Sequence, residues 1–188
     1  MRALLAALTA AACVACGAQA PVNTTTHLST SVRDLKQGQV VDGVPCLVQD
    51  LPQRHLHVHL TVLLDGDSVT VPAGIGVGKP WGYNPPGFIA TGNCFAWIHT
   101  HDTSGVVHVY TQAGSTFTLG QVFEVWGRPL AKGAALGYQG TLAVFSDGRP
   151  FAGDPTALPL TPFEDIVLEL GRPPATPPRP YEFGAISA

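Results

Sequence analysis

The sequence has few charged residues and few lysines. Charged residues make up 12% of its 188 positions, about half of the share usual in soluble domains, and lysine occurs three times. This composition excludes a coiled coil, a helical bundle and a chain held disordered by its charge. The formal net charge is −3, with ten basic residues scattered along the chain. That balance excludes the basic surface of a nucleic-acid-binding protein, so nucleic acid is not an expected partner.

Sulfur ligands are scarce as well. Met1 is the single methionine, and two of the four cysteines lie in the N-terminal apolar stretch. What the chain has in excess is glycine (21), proline (17) and histidine (7). Its length suits one turn-rich domain with a sizeable core.

Residues 1–20 are typical of an export signal. Arg2 precedes an apolar stretch that ends in small residues and is too short to cross a bilayer as a helix. Its end, CVAC (residues 13–16), resembles a bacterial lipobox, which would place a lipid on Cys16, whereas AQA (residues 18–20) offers an ordinary cleavage site. We expect an exported protein, periplasmic or at the cell surface, anchored by a lipid on Cys16 or otherwise secreted in soluble form.

Two cysteines remain after the signal, Cys46 and Cys94. In an oxidising compartment, two remaining thiols predict a disulfide. The alternative is that Cys94 binds a metal ion, since it precedes a histidine cluster.

The composition divides the chain into four segments. Residues 1–20 are the signal, residues 21–44 a flexible arm or tether, residues 45–171 the histidine-rich domain, and residues 172–188 a proline-rich strap. Within the domain, alternating apolar residues predict strands, Asp-Gly pairs predict hairpin turns, and a capping pattern with helical spacing predicts one helix. The predicted elements are strands over 54–64, 69–71, 94–101, 106–111, 142–145 and 166–170, turns at 65–66 and 146–148, and a helix over 118–127.

These elements predict an α+β fold. It is a strand-dominated, small single domain with two or more β-hairpins and one short helix, and a β-grasp-like arrangement is one option. The glycine-rich residues 73–93 form a long irregular segment, which is typical of a lid or binding loop. Trp81 and Tyr83 in this segment are candidates for lining a pocket.

Six of the seven histidines fall into two clusters of alternating positions. Residues i, i+2 and i+4 of a strand share one face, so the three histidines of 55–59 project together, opposite the apolar residues between them. Side chains two apart on a strand are about 6–7 Å apart, which lets a His-x-His pair bind one metal ion. The candidate ligands, in order of preference, are His57, His59, His99, His101, His55 and His108.

The residue types present narrow the choice of ion. Neutral imidazoles suit Zn(II), Cu(II), Ni(II) or Fe(II), and we expect Cu(II) or Zn(II) as the cofactor. The missing methionine ligand argues against a methionine-dependent Cu(I) carrier and the usual blue-copper set. Asp102 is a candidate partner of His101, as ligand or as orienting group, and it also suits a turn. Asp102 or Glu124 is the candidate base of a catalytic site.

The block CFAWIHTHDTSGVVHV (residues 94–109), together with FTLGQVFEVWG (residues 117–127), resembles an uncharacterised family of exported or lipid-anchored prokaryotic proteins. The resemblance covers most of 46–183, and the His-Thr-His-Asp block is its specific part. It implies a site at that block without naming a chemistry. It also implies an acidic residue where Tyr110 stands, so a ligand at that position would be lost here.

Three functions agree with these residues. The first is a non-catalytic extracytoplasmic protein that binds, stores or senses Cu(II) or Zn(II). The second is a hydrolytic or oxidative metalloenzyme with three histidine ligands, an open coordination position and residues 73–93 over the site. The third is a structural or partner-binding module, with histidines that are a solvated face or respond to pH. The expected partner is a metal ion, the membrane is contacted only through the lipid on Cys16, and the sequence names no protein partner.

Overall fold

The computed structural model describes residues 31–48, 54–172 and 179–184. In this part of the chain strands dominate, with one α-helix and a 3₁₀ turn at Pro155–Ala157. The elements are β1 (Val40–Val41), β2 (Val44–Leu47), β3 (Arg54–Leu64), β4 (Asp67–Val69), β5 (Gly82–Tyr83), β6 (Ile89–Thr91), β7 (Phe95–Ala96), β8 (Ile98–His99), β9 (Val106–Thr111), α1 (Leu119–Trp126), β10 (Leu130–Ala131), β11 (Ala134–Ala135), β12 (Tyr138–Gln139), β13 (Leu142–Ser146), β14 (Arg149–Pro150) and β15 (Glu164–Leu170). The predicted strand-dominated domain is confirmed.

The largest sheet is built around β3. Its strand order is β14-β13-β15-β3-β9-β8, and β4 also pairs with β3. β15 and β3 are parallel, whereas β9 is antiparallel to both β3 and β8. β9 pairs with the first half of β3, from Arg54↔Thr111 to His59↔Val106, and β4 pairs with its last three residues. β15 pairs with Val58–Leu64, so β3 lies between β9 and β15 at Val58 and His59.

The two predicted hairpin turns are present. Asp65 and Asp147 have positive φ angles of 53° and 49°, and each is followed by a glycine with positive φ. Two successive residues with positive φ match the right-handed twist of the flanking strands, which is why an Asp-Gly pair predicts this turn.

The apolar face of the sheet and the helix share one core. Leu56, Val58, Leu60 and Val62 alternate along β3 and form one cluster with the apolar side chains of α1. The helix begins after Thr118, whose backbone N–H donates to Gln121 Oε1 at 2.9 Å, and ends at Gly127, which has a φ of 80°. No helix among the described residues is long and apolar enough to cross a membrane. Because the apolar residues of β3 face this core, its histidines project from the other face.

The predicted strand over 94–101 is split into two strands at Trp97. β7 pairs with β2 and β8 pairs with β9, so the chain changes sheets between them. Trp97 joins the two sheets, since its N–H donates to Pro45 O at 3.1 Å and its carbonyl accepts from Tyr110 N–H at 2.7 Å. Alternation of residue types does not reveal such a change of partner.

The predicted disulfide is confirmed. Cys46 of β2 is bonded to Cys94, with their Cα atoms 5.4 Å apart, and both residues are fully buried. The bond holds β2 beside the segment that leads to His99. It also removes Cys94 as a thiolate ligand.

The terminal segments are described only in part. The predicted signal with Cys16, and residues 21–30 of the predicted arm, lie outside the described residues. Residues 31–44 differ from the expected loose arm, because Leu35 and Val44 are fully buried in the core. In the predicted strap, Tyr181 packs on His59, and Phe183 lies edge-on to Phe163 with ring centroids 5.3 Å apart.

Candidate metal centre

Three adjacent strands bring five of the six candidate histidines together. His57 on β3 lies opposite His108 on β9, and His108 lies opposite His99 on β8. His55 precedes this row on β3, and His101 follows the end of β8. The two histidine clusters of the sequence therefore meet on one face of the sheet, with His108 in the middle.

The five histidines form two groups of potential ligands. His55, His57 and His108 make the first, which we call the β3 group; His99, His101 and His108 make the second, which we call the β8 group. Within each group, one nitrogen from every ring lies within 4.8 Å of the others. These are the groups of this kind among the described residues, and His108 belongs to both.

The backbone orients His99 and His101. Nδ1 of His99 is 2.8 Å from the carbonyl oxygen of Ala96, and Nδ1 of His101 is 2.5 Å from that of Ile89. A carbonyl oxygen only accepts, so in each neutral ring Nδ1 carries the hydrogen and donates it. Both rings then present the lone pair of Nε2, which is the arrangement that metal-binding histidines use.

These two lone pairs face each other. Nε2 of His99 and Nε2 of His101 are 3.2 Å apart. When both rings are neutral and carry their hydrogens on Nδ1, no hydrogen lies between the Nε2 atoms, so their lone pairs repel unless a cation, a metal ion or a proton, lies between them. Two nitrogens bound to one tetrahedral ion at 2.0–2.1 Å are about 3.4 Å apart. The observed separation is therefore close to that of two ligands of one ion.

The segment between Pro72 and Gly76 holds this histidine pair in place. Thr100 lies between the two histidines and is fully buried; its hydroxyl donates to Pro72 O at 2.8 Å and accepts from Ile75 N–H at 3.0 Å. Gly76 has a φ of 72°, and a Cβ there would lie 2.1 Å from the carbonyl oxygen of Ile98. Glycine at this position thus allows the glycine-rich segment to run directly along the strand of His99.

His55 and His57 converge on a single atom of His108. Their Nε2 atoms each lie 3.0 Å from His108 Nδ1. His57 is 3% exposed, and its Nδ1 is buried with no hydrogen-bond partner among the residues described. The β3 group therefore lacks, at His57, the backbone carbonyl that sets the tautomer of His99 and His101.

Burial lowers the pKa of four of the five histidines and so keeps them neutral. Desolvation, with a smaller contribution from neighbouring histidines, lowers the pKa from the usual 6.5 to about 4 for His57, about 3 for His99 and about 2 for His108. The pKa of His55 is lowered for the same reasons. A neutral imidazole is the form that binds a metal ion, so these rings need not lose a bound proton at neutral pH.

Aromatic rings pack around the histidines. Phe88 stacks on His101 with centroids 4.4 Å apart, and Tyr110 stacks on His55 at 4.3 Å. Phe95 lies edge-on to His99 at 5.1 Å. The sequence analysis did not select Phe88 or Phe95, although Phe88 lies in the glycine-rich segment that it predicted to cover the site. Tyr110 occupies the position opposite His55, where the family resemblance implies an acid.

His59 lies outside both groups despite sharing the strand face of His57. Its Nδ1 is 2.8 Å from Asp165 Oδ1 and its Nε2 is 3.1 Å from Ser104 O, and its ring stacks on Tyr181 with centroids 3.7 Å apart. Both ring nitrogens therefore have hydrogen-bond partners outside the two groups. Asp165 was not predicted from the sequence, because it becomes a neighbour of His59 only through the parallel pairing of β15 with β3.

The candidate carboxylates belong to neither group. The Asp102 carboxylate accepts from the N–H and the hydroxyl of Ser104, at 2.9 and 2.5 Å, and so stabilises the predicted turn. Glu124 lies on the exposed side of α1, 4.0 Å from Arg33. Their proposed roles as base or orienting group have no geometric support here.

The candidate pocket residues also lie elsewhere. Trp81 Nε1 donates to Val77 O at 2.9 Å, and its ring packs so closely on Gly74 that a Cβ there would lie 2.4 Å away. Tyr83 is 56% exposed. The glycine-rich segment instead reaches the histidines through the ring of Phe88 and the carbonyl of Ile89.

No protein-family model matches the chain, and no curated protein or solved structure matches it either. The chemistry of the site is therefore inferred from its own residues.

Proposed function

We propose that this protein is an extracytoplasmic metal-binding protein that holds Cu(II) or Zn(II) on its clustered histidines. One observation carries the proposal: the Nε2 lone pairs of His99 and His101 face each other at 3.2 Å, while both Nδ1 atoms donate to backbone carbonyls. A metal ion bound to both nitrogens turns this repulsion into two coordinate bonds. Neutral rings that sit in a built hydrogen-bond frame are what such a site requires.

The ligand types support Cu(II) or Zn(II). The two groups offer imidazole nitrogens, and Cys46 and Cys94 are bonded to each other, so neither supplies a thiolate. Imidazole ligands suit divalent copper and zinc, and copper binds a given set of nitrogen ligands more tightly than zinc. Among the described residues neither group includes a carboxylate that could act as a base, and the role that fits such a site is binding, storage or sensing.

The disulfide supports a location outside the cytoplasm. Cys46–Cys94 is buried in the core, and disulfides of this kind persist in oxidising compartments. An export signal with a lipid on Cys16 and membership of the exported prokaryotic family that the His-Thr-His-Asp block resembles remain part of the proposal.

Metal analysis of the purified protein tests the function. We expect the wild-type protein to retain Cu(II) or Zn(II) in stoichiometric amount after dialysis, and the His57→Ala/His101→Ala double variant, which lacks one ligand of each group, to lose it. The matched control is His59→Gln, which changes a histidine on the same face of the sheet outside both groups. A wild-type protein that retains neither metal would refute the proposal.

A metalloenzyme is the second candidate. Each group supplies three histidines, and a tetrahedral ion bound by three imidazoles keeps one position for water or substrate. To test it, the bound ion is replaced by a paramagnetic ion and the relaxation of solvent protons is measured. Faster relaxation shows an exchangeable water on the ion and favours this candidate. A closed coordination shell favours binding or storage.

A further inference from the structure

We propose that His108 bridges two metal ions, one bound by the β3 group and one by the β8 group. This inference rests on the proposed metal-binding function and adds to it the number of ions and the role of a single residue. It follows from three features of the site: the separation of the groups, the position of His108 and the geometry of His99 and His101.

The two groups do not merge into one larger group. Among the described residues, sets of ligand atoms within 4.8 Å of one another comprise three histidines each, and no set contains four or five. One ion therefore has three histidines within reach in this arrangement, either those of the β3 group or those of the β8 group. Two ions are needed to use all five rings.

His108 lies between the two groups because its strand does. β9 is flanked by β3 and β8, and His108 is directly opposite His57 on one side and His99 on the other. Its ring centroid is 4.4 Å from that of His57 and 4.6 Å from that of His101. A residue on the middle strand of three is the one placed to serve both sides.

An imidazole has two nitrogens with which to do this. Nδ1 of His108 is directed to the β3 group, at 3.0 Å from Nε2 of both His55 and His57. Nε2 is then the atom that remains for the ion at His99 and His101. In the bridging form the ring has no N–H, and the hydrogen of the neutral imidazole passes to solvent as a proton when the second ion binds.

A single ion in the β3 group would leave His99 and His101 without an ion between them. His99 and His101 would still direct two lone pairs at each other across 3.2 Å. A single ion in the β8 group would leave His55 and His57 both directed at the one Nδ1 of His108. Two ions resolve both convergences, and His108 completes three ligands for each.

Copper(II) loading with electron paramagnetic resonance tests the bridge. Two Cu(II) ions joined by an imidazolate couple antiferromagnetically, so their low-temperature signal accounts for much less copper than chemical analysis finds. We expect the wild-type protein to bind two Cu(II) per chain with a signal of this kind. Cu(II) salt is the probe, and both quantities are measured on the same sample.

Two variants separate the bridge from the ligands around it. His57→Ala should reduce the content to one Cu(II) per chain with the full signal of an isolated ion. His108→Gly should give the full, uncoupled signal for the copper that remains bound. Added imidazole fits the space left by the ring, so it should return the second ion and the coupling. Circular dichroism checks that each variant is folded. If His108→Gly does not fold, the result with His57→Ala still tests the bridge.

The outcomes distinguish this inference from the function beneath it. One Cu(II) per chain with a full signal would overturn the bridge and leave the metal-binding function standing. Two Cu(II) per chain with a full, uncoupled signal would show two separate sites and likewise overturn the bridge. Failure to bind copper or zinc at all would overturn both proposals.

Discussion

The β3 and β8 groups contain the same residue type at the same spacing but are built differently. In the β8 group, Nδ1 of both His99 and His101 donates to a backbone carbonyl. In the β3 group, Nδ1 of His57 is buried without a partner among the described residues. The β8 group is therefore oriented for metal before an ion arrives, and we expect it to bind first and more tightly.

The difference shows that a His-x-His pattern does not by itself determine affinity. Each pair begins on a strand, although His101 lies beyond the end of β8, and the pKa of His57, like that of His99, is lowered by burial. What separates them is the hydrogen bond on the far side of the ring, which fixes the tautomer and the direction of the lone pair. That hydrogen bond is supplied by backbone carbonyls of β6 and β7 in the β8 group, and it is missing at His57 in the β3 group.

The largest expected effect is on metal affinity, and it separates two single variants, one for each group. His101→Ala should lower the metal affinity of the tightest site by about 1,000-fold. This is more than the 10- to 100-fold loss of affinity that is typical when a hydrogen-bond partner of a ligand is removed. His57→Ala should change the affinity of that site by less than about tenfold. Competition with a chromophoric chelator measures both. Equal losses in the two variants would remove the distinction between the groups.

A smaller effect, on stability alone, is expected at His59. His59→Ala should leave the metal content unchanged and lower the free energy of unfolding by about 3 kcal/mol, because the buried carboxylate of Asp165 loses its hydrogen bond to the His59 ring. Urea unfolding of the metal-free protein measures the loss, and Asp165→Asn in the same chain should recover part of it. Loss of metal from His59→Ala would place His59 in the site and contradict this separation.

The next effect tests how the β8 group is held. Gly76→Ala brings a Cβ against Ile98 O and should lower the free energy of unfolding by about 2 kcal/mol and the affinity of the tightest site about tenfold. Gly87→Ala is the matched control, since Gly87 also has positive φ but a Cβ there meets nothing within 4 Å. Its cost should be about 1 kcal/mol, without effect on affinity. Identical behaviour of the two variants would argue against a role for close packing at Gly76.

The last prediction concerns the pH dependence of the stability of the metal-free protein. Because the folded-state pKa values of His57, His99 and His108 lie below 6.5, the unfolded chain takes up protons first as the pH falls. Stability should therefore decrease from about pH 6.5 towards pH 4 and change little from these groups above pH 7. Unfolding midpoints between pH 8 and 4 measure this, and a flatter profile is expected for His57→Gln. A midpoint that rises on acidification would contradict the sign.

Much of the fold was predictable because local patterns encode it. Strict alternation predicted the strand over 54–64, two Asp-Gly pairs predicted the turns, and the capping pattern predicted the helix within a residue at each end. The split at Trp97 and the burial of Leu35 were not predictable from local pattern, because the first depends on the pairing of β7 with β2 and the second on packing in the shared core. The β-grasp-like arrangement remains a prediction.

The sequence predicted that histidines form the site, but it predicted only partly which residues belong to it. His55 was ranked below His59 as a residue at the end of its strand, yet the pairing of β3 with β9 continues to Arg54 and brings His55 to His108. Asp102 was expected to be a partner of His101, but its carboxylate accepts a hydrogen bond from Ser104 N–H in the turn instead. In both cases the outcome depended on competing partners that are distant in sequence or belong to the backbone.

The sequence alone determined that this is a strand-rich, disulfide-bonded domain with histidines presented on strand faces, because turn chemistry and period-two alternation act over a few residues. Tertiary structure decided which histidines meet. Strand order placed His108 between His57 and His99, and the parallel strand β15 brought Asp165 to His59. Backbone carbonyls of β6 and β7 set the tautomers of His99 and His101. These choices depend on which backbone and which charge lie opposite each ring, and only the folded chain brings them together.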